Sequence, residues 1–250
     1  MFRDYSLISF FLAAFLCAPA GQADTALIAV ASNFAHPARE LAADFEATSG
    51  HRIELAFGSS GKLATQIVNG APFDAFLSAD QSKIDALVER GLGEADSQAT
   101  YALGQMVLWS ATDGLALGVE WLQAGEQQRL AYANPRVAPY GVAAQQVLDE
   151  LGVSRKFEGK IVLGENIAQT YQFVATGAAT AGFVALSQMA GPNAARGSQW
   201  RVPTRYHDPI RQDLVVLTRG RDNQAAVAFV AYLQTQATRD RLIAFGYEFP

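Results

Sequence analysis

Four short polar stretches hold the residues best suited to chemistry. They are Ala31-Ser32-Asn33-Phe34, Gly58-Ser59-Ser60-Gly61-Lys62-Leu63, Ala138-Pro139-Tyr140-Gly141 and Gly164-Glu165-Asn166-Ile167. Serine hydroxyls, side-chain amides and backbone N–H groups all donate hydrogen bonds. A helix start adds free N–H groups and a positive dipole end. Turns of this kind, gathered in one place, hold a dianion without any formal cation. The first three contain no Asp or Glu, and Glu165 is the only acid nearby. Such a donor-only site favours an anion that carries no proton. A protonated phosphate would leave its O–H unpaired, at a cost of about 1–3 kcal/mol. Taken singly, Ser32, Asn33, Ser60 and Asn166 are also ordinary helix caps, and Tyr140 is a packed turn aromatic. The conjunction of four turns is what points to a ligand.

Other chemistries find little support. The stretch Gly58 to Leu63 hints at a phosphate loop, but the GxxxxGK[ST] spacing is absent and Leu63 stands where Ser or Thr must follow the lysine. Lys62 therefore reads as a solvated side chain. His36, His51 and His207 are scattered, without metal-ligand spacing. No G-x-S-x-G nucleophile elbow occurs. Asp80 reads as the cap of a helix running toward Arg90 rather than as a catalytic acid.

The elements that must position these turns follow from the apolar pattern. Strands are expected at Leu27–Ala31, Ile53–Phe57, Phe73–Leu77, Leu130–Ala133, Lys160–Leu163 and Ala181–Ala185. Helical patterns lie between them. Phe34, Leu41 and Phe45 share one face before Gly50, and Leu63 and Ile67 are one turn apart before Gly70. Strand–helix alternation implies parallel β-α-β units, and ligands in open α/β sheets bind beyond the carboxyl ends of strands. Two runs break the rhythm. Tyr101–Ser110 and Gln212–Thr218 read as the chain crossing between two lobes and back. The expected division is a signal peptide over 1–23, lobe one over 24–103 plus 211–250, and lobe two over 104–210. A single undivided α/β domain is the alternative.

Composition agrees with an exported globular protein. The chain has 250 residues, half of them hydrophobic, and a formal net charge of -5, which argues against nucleic acid as a partner. Leu7–Cys17 is an apolar run followed by small residues ending at Ala23. It reads as a secretory signal, too short for a membrane span, with cleavage expected after Ala23 or after Ala20. Its removal takes away Cys17, the only cysteine, so no disulfide is expected.

The turns, together with Gly70-Ala71-Pro72-Phe73-Asp74-Ala75-Phe76-Leu77-Ser78-Ala79-Asp80, Ala133-Asn134-Pro135 and Gly182-Phe183-Val184-Ala185, resemble the periplasmic molybdate-binding proteins of ABC transporters. These belong to the type II solute-binding proteins. The resemblance covers nearly the whole chain after the signal. It implies an α/β fold of two lobes, each a mostly parallel sheet flanked by helices, joined by two crossover strands. It implies a monomeric periplasmic receptor, not an enzyme, that captures molybdate, and tungstate as well, for the membrane permease of an ABC importer. No cofactor is implied, and the metal makes no direct bond to protein. Carried over, Ser32 and Ser60 each offer a hydroxyl and an N–H, Asn33 its amide, and Tyr140 and Ile167 their backbone N–H. Some members place a donating tyrosine where this chain has Ala185; here Asn33 is expected to replace it. The alternatives are a receptor for another oxyanion such as sulfate, and an exported α/β hydrolase using Ser60 or Ser32.

Overall fold

Two five-stranded sheets organise the chain in the computed structural model, which describes residues 23–125, 128–190 and 196–250. The expected signal sequence, apart from Ala23, lies outside the described residues. The chain opens with β1 (Thr25–Ala31), α1 (Ala35–Ser49), β2 (Arg52–Gly58), α2 (Ser60–Val68), β3 (Ala75–Leu77), α3 (Ser82–Glu89) and β4 (Ala99–Gly104). It then crosses to β5 (Met106–Ser110), α4 (Val119–Ala124), β6 (Leu130–Ala133), α5 (Pro139–Glu150), β7 (Ile161–Gly164), α6 (Ile167–Ala175), β8 (Ala181–Ala185) and β9 (Ser198–Arg201). It returns through β10 (Ile210–Val216) and ends with α7 (Gln224–Leu233) and α8 (Gln236–Ala244).

The first sheet has the order β2-β1-β3-β10-β4 and the second β7-β6-β8-β5-β9. Each is mixed. Strands β2, β1 and β3 run parallel, as do β7, β6 and β8, while the remaining two strands of each sheet pair antiparallel. We call each sheet with its helices a lobe.

Alternation along the strands feeds a core on both faces of each sheet. In β1, Ile28 and Val30 pack with Leu41, Phe45 and Phe229, while Ala29 packs on the other face with Leu63, Phe76 and Val215. In β5, Met106 and Leu108 face Leu148 and Phe183, and Val107 and Trp109 face Ala131 and Val184. Being covered on both faces explains why these strands read as unbroken apolar runs. The predicted stop of α1 is also found. Gly50 adopts φ 76°, a left-handed conformation that favours glycine, and its N–H reaches Glu46 O at 3.1 Å.

Three details differ from the sequence reading. The run Tyr101–Ser110 is two strands, broken at Gln105, because β4 pairs with β10 in the first sheet and β5 pairs with β8 and β9 in the second. Periodicity cannot see a change of partner inside one extended run. Strand β3 begins at Ala75 rather than Phe73. Asp74 before it still joins the sheet, donating its N–H to Leu27 O (2.8 Å) and accepting Leu27 N–H on its carboxylate (2.8 Å). The edge strand β9 was not foreseen, since Ser198-Gln199-Trp200-Arg201 is polar and only half-buried.

Candidate functional site

The four turns meet. Ser32 and Asn33 follow β1, Ser60 opens α2 after β2, Tyr140 lies in the first turn of α5 beyond β6, and Ile167 opens α6 directly after β7. All five residues, each buried, line one small cavity between the lobes, together with Ala31, Gly58, Ser59, Ala79, Ala138 and Pro139. About 10 Å³ is open there to the centre of a water-sized sphere, which is the size range of one water or a small ion. Among the described residues, no acidic, basic or histidine side chain lines it.

The donors are arranged by their elements. Ser60 and Ile167 are first residues of helices and Tyr140 is a second residue, so none of their N–H groups has an acceptor within its helix. The Ser60 hydroxyl accepts Ala79 N–H at 2.9 Å. With a lone pair engaged, its own hydrogen is free for the cavity. Ser59 also lines the cavity but the sequence reading did not select it. Of the four cap candidates only Asn166 caps, its Oδ1 accepting Gln169 N–H at 3.0 Å. Asp80 does hold its helix start, accepting Lys83 N–H at 3.0 Å.

The Asn33 amide, expected from the sequence to donate to a ligand, is engaged by protein groups in this structure. Its Nδ2 donates to Gln212 Oε1 (2.9 Å) and to Tyr247 Oη (3.2 Å), which occupies both amide hydrogens. These bonds belong to a buried network beside the crossover strands β4 and β10. Tyr101 Oη donates toward Gln212 Oε1 at 3.0 Å, and Gln212 Nε2 donates to Tyr140 Oη at 3.4 Å. Gly104, at the end of β4, leaves room for that phenol; a Cβ there would collide with Tyr140 and Gln212. Burial pushes the Tyr101, Tyr140 and Tyr247 phenols above their ordinary value of 10.0. They are neutral hydrogen-bonding groups at any ordinary pH.

Three contacts draw the lobes together around the cavity. Gly61 N–H donates to Val137 O at 2.9 Å. Ser187 Oγ donates to Asn33 O at 2.8 Å. Lys62, read from sequence as solvated, forms a 2.8 Å ion pair with Glu165 on the opposite lobe. Both side chains are about half exposed or more, so the pair contributes little by itself, roughly 0–1 kcal/mol.

This closed, two-lobed cleft is the architecture of a receptor for a small solute, and residues 26–248 match the model of the bacterial extracellular solute-binding proteins, the family to which the chain belongs. Within that family it is 45% identical, over 94% of both chains, to the molybdate-binding protein ModA of Azotobacter vinelandii. It is 42% identical to the molybdate-binding protein ModA of Rhodobacter capsulatus, over 88% of this chain and 87% of that one. The solved structure of the Azotobacter vinelandii periplasmic molybdate-binding protein superposes with a TM-score of 0.85 at 36% identity, covering 90% of this chain and 99% of that one. These matches bear out the two-lobed α/β binding-protein fold.

Proposed function

We infer that this protein captures molybdate in its interlobe cleft, in the periplasm, and delivers it to the membrane permease of an ABC importer. The observation that carries the reading is the cavity itself: Ser32, Asn33, Ser60, Tyr140 and Ile167, drawn from both lobes, surround one small space with donors and, among the described residues, no charged side chain. A fully ionised oxyanion accepts from every such donor, whereas a protonated one turns an O–H toward a lining whose only side-chain acceptors are hydroxyls and one amide. The similarity to molybdate-binding proteins over nearly the whole chain supports the same ligand. We assign the lobes to 24–103 with 211–250 and to 104–210. In this reading Ser32 and Ser60 donate hydroxyl and backbone hydrogens. Tyr140 and Ile167 donate backbone N–H from the opposite lobe. Asn33 contributes its backbone N–H while its amide braces the crossover strands. The metal stays shielded by its oxygens. Tungstate, of the same charge and nearly the same size, binds as well, whereas the smaller sulfate spans the two lobes poorly. An esterase reading lacks a base, since among the described residues no histidine or carboxylate lines the cavity.

Thermal unfolding tests the reading. At a thousand-fold excess over Kd, a ligand bound only by the folded state adds about 4 kcal/mol, which for a chain of this size is on the order of 10 °C in Tm. Molybdate and tungstate are expected to give shifts of this order, and equal sulfate a small one. A sulfate shift as large as that of molybdate would remove the assignment.

The role given to Tyr140 has its own test. Tyr140→Phe keeps the ring and the N–H and deletes only a hydroxyl that meets Gln212 at 3.4 Å. Molybdate affinity is expected to stay within about threefold, well under the 1.4 kcal/mol that a tenfold change represents. A loss of binding on calorimetric titration would make the phenol itself a ligand donor.

A further inference from the structure

Ser59 is the N-cap of α2, where a serine hydroxyl ordinarily accepts an N–H of the first helical turn. It makes no such bond. Its Oγ is buried and has no hydrogen-bond partner among the described residues, on a residue only 4% exposed. The same residue lines the cavity beside Ser32 and Ser60. A buried hydroxyl that forgoes an available cap and finds no protein partner calls for a functional explanation.

We propose that Ser59 is a further oxyanion-contacting residue, whose hydroxyl turns into the cleft and donates to an oxygen of the bound anion next to Ser60. The proposal rests on the oxyanion reading of the cleft. The two neighbouring serines then have different roles. The Ser60 hydroxyl is oriented in advance by Ala79 N–H, at 2.9 Å. The Ser59 hydroxyl has no partner among the described protein groups, so it is left available to the anion. A hydroxyl donates well to a charged oxygen, and that bond is of the stronger, charge-assisted kind.

The arrangement separates two effects of Ser59→Ala. Removing a buried hydroxyl that has no protein partner is expected to leave Tm of the ligand-free protein unchanged or to raise it. Removing a donor to the anion is expected to raise the molybdate Kd about tenfold. A helix cap behaves in the reverse manner, lowering Tm and leaving Kd alone. The experiment is calorimetric titration of wild type and Ser59→Ala with sodium molybdate, alongside ligand-free melting of both. A tenfold weaker Kd together with an unchanged or higher Tm is the expected result. A Kd within twofold of wild type overturns the proposal, whatever Tm does. Absence of molybdate binding by the wild-type protein is a different failure, that of the oxyanion reading, and the same titration reveals it.

Discussion

Gly61→Val is expected to weaken molybdate binding by at least two powers of ten while leaving the fold intact. Gly61 is the second residue of α2, and its N–H reaches Val137 O on the opposite lobe at 2.9 Å. A Cβ at this position would lie 3.0 Å from both the Cα and the carbonyl oxygen of Val137. These are backbone atoms and cannot swing aside as a side-chain tip would. A branched side chain must therefore hold the lobes apart. The donors come from both lobes, so an open cleft presents the anion with only half of them. Losing two backbone hydrogen bonds to a charged ligand, each contributing about 1.5–3 kcal/mol, amounts to two to four powers of ten in affinity. The position is helical and on the cleft face, and valine is no worse than glycine in a helix. Circular dichroism and ligand-free Tm should match wild type. Unchanged affinity would mean that closure across Gly61 is not needed for binding.

Ser60→Ala is expected to cost one to two powers of ten in molybdate affinity. The lost bond is a hydroxyl donated to a charged oxygen, contributing about 1.5–3 kcal/mol. A second consequence separates this variant from Ser59→Ala. Ser60 Oγ is the acceptor for Ala79 N–H, so alanine leaves a buried backbone donor unpaired. Stability of the ligand-free protein should fall by about 1–3 kcal/mol. Calorimetric titration and chemical unfolding of the same preparation read both effects. Wild-type affinity in the variant would reduce the second turn to ordinary helix packing.

The parts of this molecule that are local in sequence could be read from it. Strands buried on both faces announce themselves as apolar runs, and β6 and β8 fall on the expected residues. The four turns stand out because a polar cluster at a strand's carboxyl end is visible within six residues. Relations across the chain could not be read. Asn33 finds Gln212 and Tyr247 at separations of 179 and 214 residues, and nothing in the first turn points to these partners. The split of Tyr101–Ser110 into β4 and β5 is likewise a matter of partners. Lys62 gave no sign of Glu165, a residue on the opposite lobe. Gly61 read as one small residue in a glycine-serine turn, and only the approach of Val137 explains it. Ser59 and Ser60 are adjacent and alike in the sequence; what distinguishes them is that Ala79 N–H reaches one and not the other.

The central claim is that a buried, uncharged set of donors selects a fully ionised oxyanion of molybdate size. Native mass spectrometry of the protein exposed to equal molybdate, tungstate and sulfate tests it in one experiment. The account predicts one molybdate or tungstate per chain, in comparable amounts, with little or no sulfate adduct. A sulfate adduct as abundant as the other two, or a chain that emerges with no anion at all, would contradict it.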